Sequence, residues 1–250
     1  MTERAPRIPW RTAEVLEVVA ETPRARSLVL RVPDWPGHDP GQHVDVRLTA
    51  EDGYQAQRSY SIASPPERPE LVLTVERIDD GEVSPYLADE ARPGDRFELR
   101  GPIGGYFTWT SADGGPLQLL AGGSGVVPLM AMLRHRARRG APAAARLLYS
   151  SRSWETLIYR DELERLARDD ARLGVAFALT RAAPPGWTGP RRRVDADMLR
   201  ELAFDPAERP RAYLCGPTPF VESVATALVA LGHAPERIKT ERFGPTGGQT

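Results

Sequence analysis

Hydrophobic and polar positions alternate in short runs along the first part of the chain. Runs with the two-residue period of half-buried strands are Ala13 to Ala20, Ser27 to Val32, His43 to Leu48, Gln57 to Ala63, Glu70 to Ile78 and Arg96 to Leu99. Turn-forming segments such as Pro65-Pro66 and Pro93-Gly94 separate them. Short strands at near-regular spacing predict a small antiparallel barrel or sandwich.

The pattern changes after the glycine-rich segment at residues 111–116. Apolar strands are predicted at Leu117 to Ala121, Arg146 to Ser150, Leu173 to Thr180, Arg211 to Cys215 and Ile238 to Glu241. Helical periodicity follows them up to Arg139, from about Glu155 to Arg168, at Asp195 to Leu202 and at Pro219 to Leu231. This alternation predicts a parallel sheet with helices on both faces. We therefore expect a barrel domain over residues 1–111 and an α/β domain over residues 112–250.

Composition and charge narrow the classes of function. A net charge of −1 on 250 residues gives no electrostatic argument for binding nucleic acid or an anionic membrane. Cys215 is the only cysteine, which excludes an internal disulfide and a four-cysteine metal or iron–sulfur site, and we expect no metal. Residues 1–11 are polar, and no apolar run approaches the roughly 20 residues of a membrane span. We expect a soluble, cytoplasmic protein.

The tetrapeptide Arg58-Ser59-Tyr60-Ser61 lies within one of the alternating runs. A period of two places Arg58 and Tyr60 on one face of the strand and Ser61 on the other. A guanidinium binds a diphosphate bidentately, an aromatic ring stacks on a planar heterocycle, and a hydroxyl hydrogen-bonds a ring nitrogen. A half-buried strand with polar surface residues has the same pattern, so the tetrapeptide alone leaves both interpretations open.

Two further segments have the chemistry of phosphate sites. Ser84 and Pro85 predict the N-cap and first residue of a helix from Tyr86 to Ala91, whose free N–H groups would favour an anion. A plain capped helix is the alternative. Gly122-Gly123-Ser124-Gly125 joins a strand to a helix, where glycines let the backbone approach a pyrophosphate. Its spacing is neither G-x-G-x-x-G nor that of a Walker A loop, and a tight turn alone also explains it.

A third segment, Ser151-Arg152-Ser153, follows the second strand of the α/β half. In NAD-binding sheets an acidic residue here holds the ribose 2′-hydroxyl, whereas an arginine accommodates the 2′-phosphate of NADP. No carboxylate precedes Glu155 in this segment, which favours NADPH over NADH. Lys239 is the only lysine, so arginine is common throughout the chain. The location of Arg152 after the second strand is therefore stronger evidence for a 2′-phosphate site than the fact that it is an arginine.

Together these motifs resemble the ferredoxin–NADP reductase family over nearly the whole chain. They are Pro40-Gly41-Gln42, Arg58-Ser59-Tyr60-Ser61, Gly101-Pro102-Ile103-Gly104-Gly105-Tyr106-Phe107, Ala121-Gly122-Gly123-Ser124-Gly125 and Cys215-Gly216-Pro217. Each motif is weak, whereas their order and separation are specific. The resemblance implies a β + α/β architecture, with a six-stranded antiparallel flavin-binding barrel followed by a parallel-sheet NAD(P)-binding domain, and no iron–sulfur domain.

The resemblance implies roles for individual residues on the FAD side. Arg58 would contact the flavin pyrophosphate, Tyr60 would pack against the isoalloxazine or ribityl, and Ser61 would hydrogen-bond flavin N5. Positions that would line the FAD with backbone or loop atoms are Val75, Glu76, Glu82, Val83 and Ser84. Phe243 would cover the flavin face that the nicotinamide must reach, and Glu241 would assist proton movement.

The resemblance also assigns the NADPH side. Gly123, Ser124 and Gly125 match the pyrophosphate loop. Residues that would contact the rest of the nucleotide are Ser151 and Arg152 at the 2′-phosphate, Tyr159 on the adenine, and Cys215, Gly216 and Pro217 near the nicotinamide. We expect Cys215 to position rather than to attack, and a small buried hydrophobe is its alternative role. Ser61, Cys215 and Glu241 are thus the candidate catalytic residues.

The implied activity is that of an FAD-dependent NADPH reductase. It would move a hydride from NADPH to flavin N5 and pass electrons to a separate carrier such as ferredoxin or flavodoxin. Alternatives are the reductase subunit of a multicomponent oxygenase, a reductase of free flavin or quinone, and a nucleotide sensor without turnover. An iron–sulfur acceptor would lie on another polypeptide, since Cys215 has no companion cysteine. The run of arginines from Arg134 to Arg139 faces either such a partner or solvent.

Overall fold

The computed structural model describes residues 8–244, and its first unit is a six-stranded antiparallel sheet. The strands are β1 (Trp10–Thr22), β2 (Ala25–Arg31), β3 (His43–Thr49), β4 (Gln55–Ser61), β5 (Leu71–Glu76) and β6 (Arg96–Ile103), in the order β4-β3-β6-β1-β2-β5. The two outer strands also meet, because Ile62 beyond β4 bridges Leu73 in β5. The sheet therefore closes into the predicted barrel, which is filled by aliphatic side chains such as Leu28 and Leu99.

The second unit is a five-stranded parallel sheet in the order β11-β10-β7-β8-β9. Its strands are β7 (Leu117–Gly122), β8 (Ala145–Ser153), β9 (Leu173–Ala182), β10 (Arg211–Pro217) and β11 (Ile238–Phe243), and its helices are α1 (Val126–Arg138), α2 (Arg160–Asp169), α3 (Ala196–Leu202) and α4 (Thr218–Ala230). Helices α1 and α2 pack on one face, and α3 and α4 on the other. The predicted fold class is confirmed. Helix α2 begins at Arg160 rather than near Glu155, because Trp154–Thr156 forms a 3₁₀ turn.

A helical segment is present where it was predicted, but Ser84 is not its N-cap, because the helical conformation already includes Ser84 and Pro85. A single π-helical turn covers Tyr86–Glu90 and has no side-chain cap. The Ser84 hydroxyl instead accepts a hydrogen bond from the Ile78 N–H at 3.1 Å, because the turn at Gly81 folds it back towards β5. So short a helix offers no dipole for an anion, and this segment must act through its loop.

Apolar packing and hydrogen bonds join the two units. Arg134 of α1 donates to the Ala63 carbonyl at 2.8 Å, and the Tyr213 hydroxyl of β10 donates to the Thr108 carbonyl at 2.8 Å. The predicted boundary after Ser111 falls in the connection from β6 to β7, where Trp109 is buried in the apolar cluster beneath α1. These contacts seat the parallel sheet against the barrel.

Two negative findings apply to residues 8–244 only. No helix in this range is long and apolar enough to cross a membrane. Within the same range, histidine, cysteine and acidic side chains form no group of three that could ligate a metal ion.

Candidate functional site

Three polar side chains, with a serine on the neighbouring strand, lie where the barrel touches β11. Ser61 at the end of β4 is paired with His43 at the start of β3, and opposite residues of an antiparallel pair share a face. His43 Nδ1 lies 4.0 Å from Glu241 Oε1. The other Glu241 oxygen, Oε2, lies 3.9 Å from Cys215 Sγ. The structure thus brings the three predicted catalytic residues into one cluster around a histidine that the sequence did not single out.

Strand pairing explains the cluster. Parallel β10 and β11 pair Cys215 with Glu241 and Pro217 with Phe243. Strand β10 is apolar and buried up to Cys215 and Gly216, whereas β11 is more polar and becomes exposed towards Phe243, so these positions lie at the carboxyl edge of the sheet. His43 gave no sequence signal beyond opening a strand, because only the register of β3 against β4 places it opposite Ser61.

Burial sets the protonation of this cluster. It raises the pKa of Glu241 to about 7, so near neutrality this carboxyl holds a proton much of the time. Burial, and then the neighbouring Glu241 carboxylate, raise the pKa of Cys215 well above that of a free thiol. Burial lowers the pKa of His43, which Asp45 partly opposes. A protonated thiol is a poor nucleophile, so a positioning role for Cys215 fits this arrangement.

The raised pKa of Glu241 has a measurable effect on stability. The folded protein holds this proton up to about pH 7, whereas an unfolded chain releases it near the ordinary value of 4.5. The contribution of Glu241 is therefore full below pH 4.5 and is lost as pH rises through 7. In Glu241→Gln we expect the free energy of unfolding, from urea titrations at about pH 5 and about pH 8, to fall less with pH than in the wild type.

The exposed variant Glu201→Gln, on α3, is the control and should keep the wild-type difference between the two pH values. If Glu241→Gln shows the full wild-type difference, Glu241 does not hold the proton.

Arg58 faces the loop that follows β5. Its guanidinium is 53% exposed and lies 2.7 Å from a Glu82 carboxylate oxygen. The Tyr54 hydroxyl also donates to Glu82, and these two hydrogen bonds lower the pKa of that carboxyl. The Glu82 carboxylate thus already pairs with the Arg58 guanidinium. The same position can take a diphosphate if the Glu82 side chain turns away, so the residues present fit the FAD pyrophosphate.

The other predicted FAD-binding residues differ in how far they are buried. Tyr60 is half-buried against the barrel core, and burial raises its pKa. Val75 and Val83 are fully buried, so only their backbones can face a ligand. Glu76 is exposed at the end of β5, and Phe243 is exposed beside Pro217.

The glycine loop after β7 has the shape of a nucleotide cradle. Gly123 has φ +55°, and nothing lies within 4 Å of the position a Cβ would take, so its backbone is open to a ligand. A Cβ on Gly125 would lie 2.1 Å from the Cys215 carbonyl oxygen. The loop therefore touches β10 directly, beside Gly216, and its open backbone fits a nicotinamide-nucleotide pyrophosphate.

Two arginines stand together at the carboxyl ends of β8 and β9. Ser151 pairs with Leu179 and Ser153 with Ala182, so a bulge places Thr180 and Arg181 opposite Arg152. Both arginines are exposed, and within residues 8–244 neither guanidinium makes a hydrogen bond or ion pair. The Ser151 hydroxyl is buried and bonded to Thr156 at 2.8 Å, so it supports the turn. Arg181 was missed because its place beside Arg152 depends on register.

The expectation that Tyr159 stacks on adenine is wrong. Tyr159 is 4% exposed, and its hydroxyl bonds Thr74 of the barrel. The Arg134 guanidinium lies 4.7 Å from its ring centroid. The family resemblance gave Tyr159 this role, whereas a left-handed φ of +60° accompanies a side chain that is packed into the interface. Trp187, packed on Trp154 with ring centroids 5.3 Å apart, is the aromatic surface that lies beyond β8 and β9.

Comparisons with known proteins agree with this geometry. The family model for an oxidoreductase FAD-binding domain matches residues 17–108, and that for an oxidoreductase NAD-binding domain matches residues 119–226. Ferredoxin–NADP reductase B of Sorangium cellulosum is 38% identical over 211 residues, covering 81% of this chain and 84% of that protein.

Other relatives have different acceptors in their names. The glycine betaine monooxygenase reductase subunit of Pseudomonas aeruginosa is 32% identical over 83% of this chain, which spans 56% of that protein's length. NADH-cytochrome b5 reductase 1 of Aspergillus terreus is 32% identical, covering 79% of this chain and 68% of that protein. Among solved structures, the FAD/NAD-binding domain of nitric oxide dioxygenase from Vibrio cholerae superposes with a TM-score of 0.84 at 27% identity, covering 94% of this chain and 99% of that one.

Proposed function

The chain belongs to the ferredoxin–NADP reductase family of FAD-dependent oxidoreductases, and we propose that it takes electrons from NADPH and delivers them to a separate one-electron carrier such as a ferredoxin or flavodoxin. It is an NAD(P)H-dependent flavoprotein reductase. The observation that carries the proposal is the cluster of Ser61, Cys215 and Glu241, to which both units contribute. A reductase needs its flavin and nicotinamide sites to meet, and a cluster to which both units contribute suits such a junction.

Bound FAD supplies the redox chemistry, since a flavin accepts a hydride from a nicotinamide and releases electrons singly or in pairs. The residues of this chain bind and orient. Arg58 would hold the diphosphate, and the backbone at Gly123 would receive the second nucleotide. With FAD bound, the Ser61 hydroxyl would donate a hydrogen bond to the reacting ring nitrogen. His43, which pairs with Ser61 in the sheet, lies 4.0 Å from Glu241, and Glu241 would hold a proton there. The neutral Cys215 thiol limits how closely the nicotinamide approaches.

The preference for NADPH is proposed from the two arginines. Arg152 and Arg181 offer two exposed guanidiniums that no carboxylate neutralises within the described residues, which suits a dianionic 2′-phosphate. A ribose 2′-hydroxyl would leave both charges without a partner. The similarity to ferredoxin–NADP reductase B supports this preference. Because NADH-cytochrome b5 reductase 1 is also similar, the coenzyme preference has to be measured.

Arg58 and Glu82 should affect FAD binding in opposite directions. We expect Arg58→Ala to raise the Kd for FAD about 10- to 100-fold, as for loss of one charge-assisted contact. Glu82→Gln should leave that Kd unchanged or lower it, because the carboxylate competes with the diphosphate for Arg58. Fluorescence titration of the apoprotein with FAD measures both values. Weaker binding in both variants would contradict the competition.

A second candidate function is that of a reductase component serving an oxygenase on another chain. It is favoured by the similarity to the glycine betaine monooxygenase reductase subunit. The two candidates differ in their acceptor, not in the chemistry of the site.

Anaerobic titration of the purified protein with NADPH, and separately with NADH, tests the proposal through absorbance at about 450 nm, where oxidised flavins absorb. Full bleaching at one NADPH per flavin is the expected result. Absence of bound flavin, or no bleaching with either nucleotide, would overturn the reductase assignment. Turnover with ferredoxin or flavodoxin, compared with turnover that requires a co-purified oxygenase, separates the two candidates.

A further inference from the structure

A chain of buried hydroxyl groups crosses the contact between the barrel and the α/β unit. On the barrel side, the Ser27 hydroxyl donates to a Glu21 carboxylate oxygen at 2.6 Å and lies 2.7 Å from the Thr74 hydroxyl. On the other side, the hydroxyl of Tyr159, which directly precedes α2, bonds the same Thr74 hydroxyl. Ser27, Thr74 and Tyr159 are all buried. Side chains alone thus link β1, β2 and β5 to the start of α2.

The hydrogen bonds of this chain all run in one direction. Each hydroxyl carries a single proton, and Ser27 gives its proton to Glu21. Thr74 therefore donates to Ser27, and Tyr159 donates to Thr74. Burial raises the pKa of Tyr159 to about 12, so its hydroxyl keeps that proton at neutral pH. Hydrogen bonds in such a row strengthen one another, so loss of one member weakens the whole contact.

Arg134 of α1 extends this contact to the strand end that carries Ser61. Its guanidinium lies 4.7 Å from the Tyr159 ring centroid and 2.6 Å from a Glu162 carboxylate oxygen of α2. It also donates to the Ala63 carbonyl at 2.8 Å, two residues after Ser61. One arginine therefore holds α1, α2 and the Ser61 segment together.

Helix α1 also carries the glycine loop. The helix begins directly after Gly123–Gly125, where the backbone of Gly123 is open to a ligand. Arg134, in the third turn of the helix, holds the segment that follows Ser61. Helix α1 thus connects the loop that would bind the nicotinamide nucleotide to the hydroxyl that would bond the flavin. A shift of α1 against the barrel would change the distance between the two reacting rings.

We propose that Tyr159 and Arg134 are positioning residues for hydride transfer, which hold the Ser61 end of the barrel at a fixed distance from the glycine loop. This inference rests on the proposed function. Hydride transfer needs the reacting atoms within about 3.5 Å, and a misplacement of about 1 Å can slow a reaction about 100-fold. Loss of the contact between the units should therefore slow flavin reduction without weakening nucleotide binding, because Tyr159 is packed into the interface.

Tyr159→Phe tests the inference, because it removes the hydroxyl and keeps the ring beneath Arg134. We expect anaerobic stopped-flow reduction of the flavin by NADPH to slow about 10-fold. The Kd for NADP⁺, which cannot reduce the flavin, should stay within about twofold. Thr74→Val, on the barrel side, should slow reduction equally, and the double variant should be no slower than either single variant. Tyr86→Phe is the matched control, since it removes a hydroxyl that bonds Asp95 within the barrel, and it should leave the rate unchanged.

Urea unfolding of the apoprotein gives a readout that does not depend on activity. The losses of unfolding free energy in Tyr159→Phe and Thr74→Val should not add, because the double variant leaves neither hydroxyl of the pair without its partner. This coupling joins residues of two different units.

Three results would overturn the inference. They are additive losses of unfolding free energy, a wild-type rate of flavin reduction in Tyr159→Phe, and a rise in the Kd for NADP⁺ that accounts for the slower reduction. Absence of flavin reduction in the wild-type protein would instead overturn the proposed function, and this inference with it.

Discussion

Replacing Ser61 by alanine should leave FAD bound but slow reduction of the flavin by NADPH about 100- to 1,000-fold, in line with the loss of one positioned donor at a reacting atom. The hydroxyl stands opposite His43 and within the cluster that includes Glu241. No bulky group is lost, and Ser61 is only partly buried, so the fold should persist. Stopped-flow absorbance under anaerobic conditions measures the rate directly.

The matched control for Ser61 is two residues away on the same strand face. Ser59→Ala removes an identical hydroxyl, which bonds Asp45 at 2.6 Å. Arg100 continues to hold Asp45 at 2.9 Å, so the strand should not shift. We expect the rate of flavin reduction to stay within about twofold of the wild type. Equal rates in Ser61→Ala and the wild type would remove Ser61 from the catalytic residues.

Replacing Arg152 by alanine should shift the coenzyme preference strongly. We expect kcat/KM for NADPH to fall about 10- to 100-fold, since one charge-assisted contact to the 2′-phosphate is lost. The double variant Arg152→Ala/Arg181→Ala should lose about 1,000-fold if the two contacts add. With NADH, which has no 2′-phosphate, kcat/KM should change less than about twofold. Steady-state kinetics with both nucleotides and ferricyanide as acceptor give the ratio.

Two outcomes distinguish a specific contact from a general loss of positive charge. Arg168→Ala removes an exposed charge from α2 and should change neither value of kcat/KM. If Arg152→Ala lowers kcat/KM equally for NADPH and NADH, the arginine does not read the 2′-phosphate, and the proposed preference is wrong.

The residues Ser61, Cys215 and Glu241 could be named in advance because the motifs around them resemble those of the family. Ser61 follows an alternating run and Cys215 an apolar one, whereas Glu241 follows the mixed run Ile238-Lys239-Thr240. His43 was not predictable, because its partner depends on the pairing of β3 with β4. Arg181 was missed for the same reason on the β8–β9 pair.

The two wrong expectations share another cause. Ser84 had the local chemistry of an N-cap, and Tyr159 matched a stacking position of the family. The residue types in a short segment do not show in which direction a side chain points in the fold. The turn at Gly81 and the left-handed backbone of Tyr159 decided those directions, and both side chains became internal supports.

Periodicity along the chain determined a barrel followed by an α/β unit, because the two-residue and 3.6-residue periods are local consequences of backbone geometry. Only the tertiary structure decided which strand ends meet, since register and domain packing depend on contacts between distant residues. The cluster of Ser61, His43, Cys215 and Glu241 joins β3, β4, β10 and β11 across both units. The burial that raises the pKa of Glu241 exists only once those units have packed.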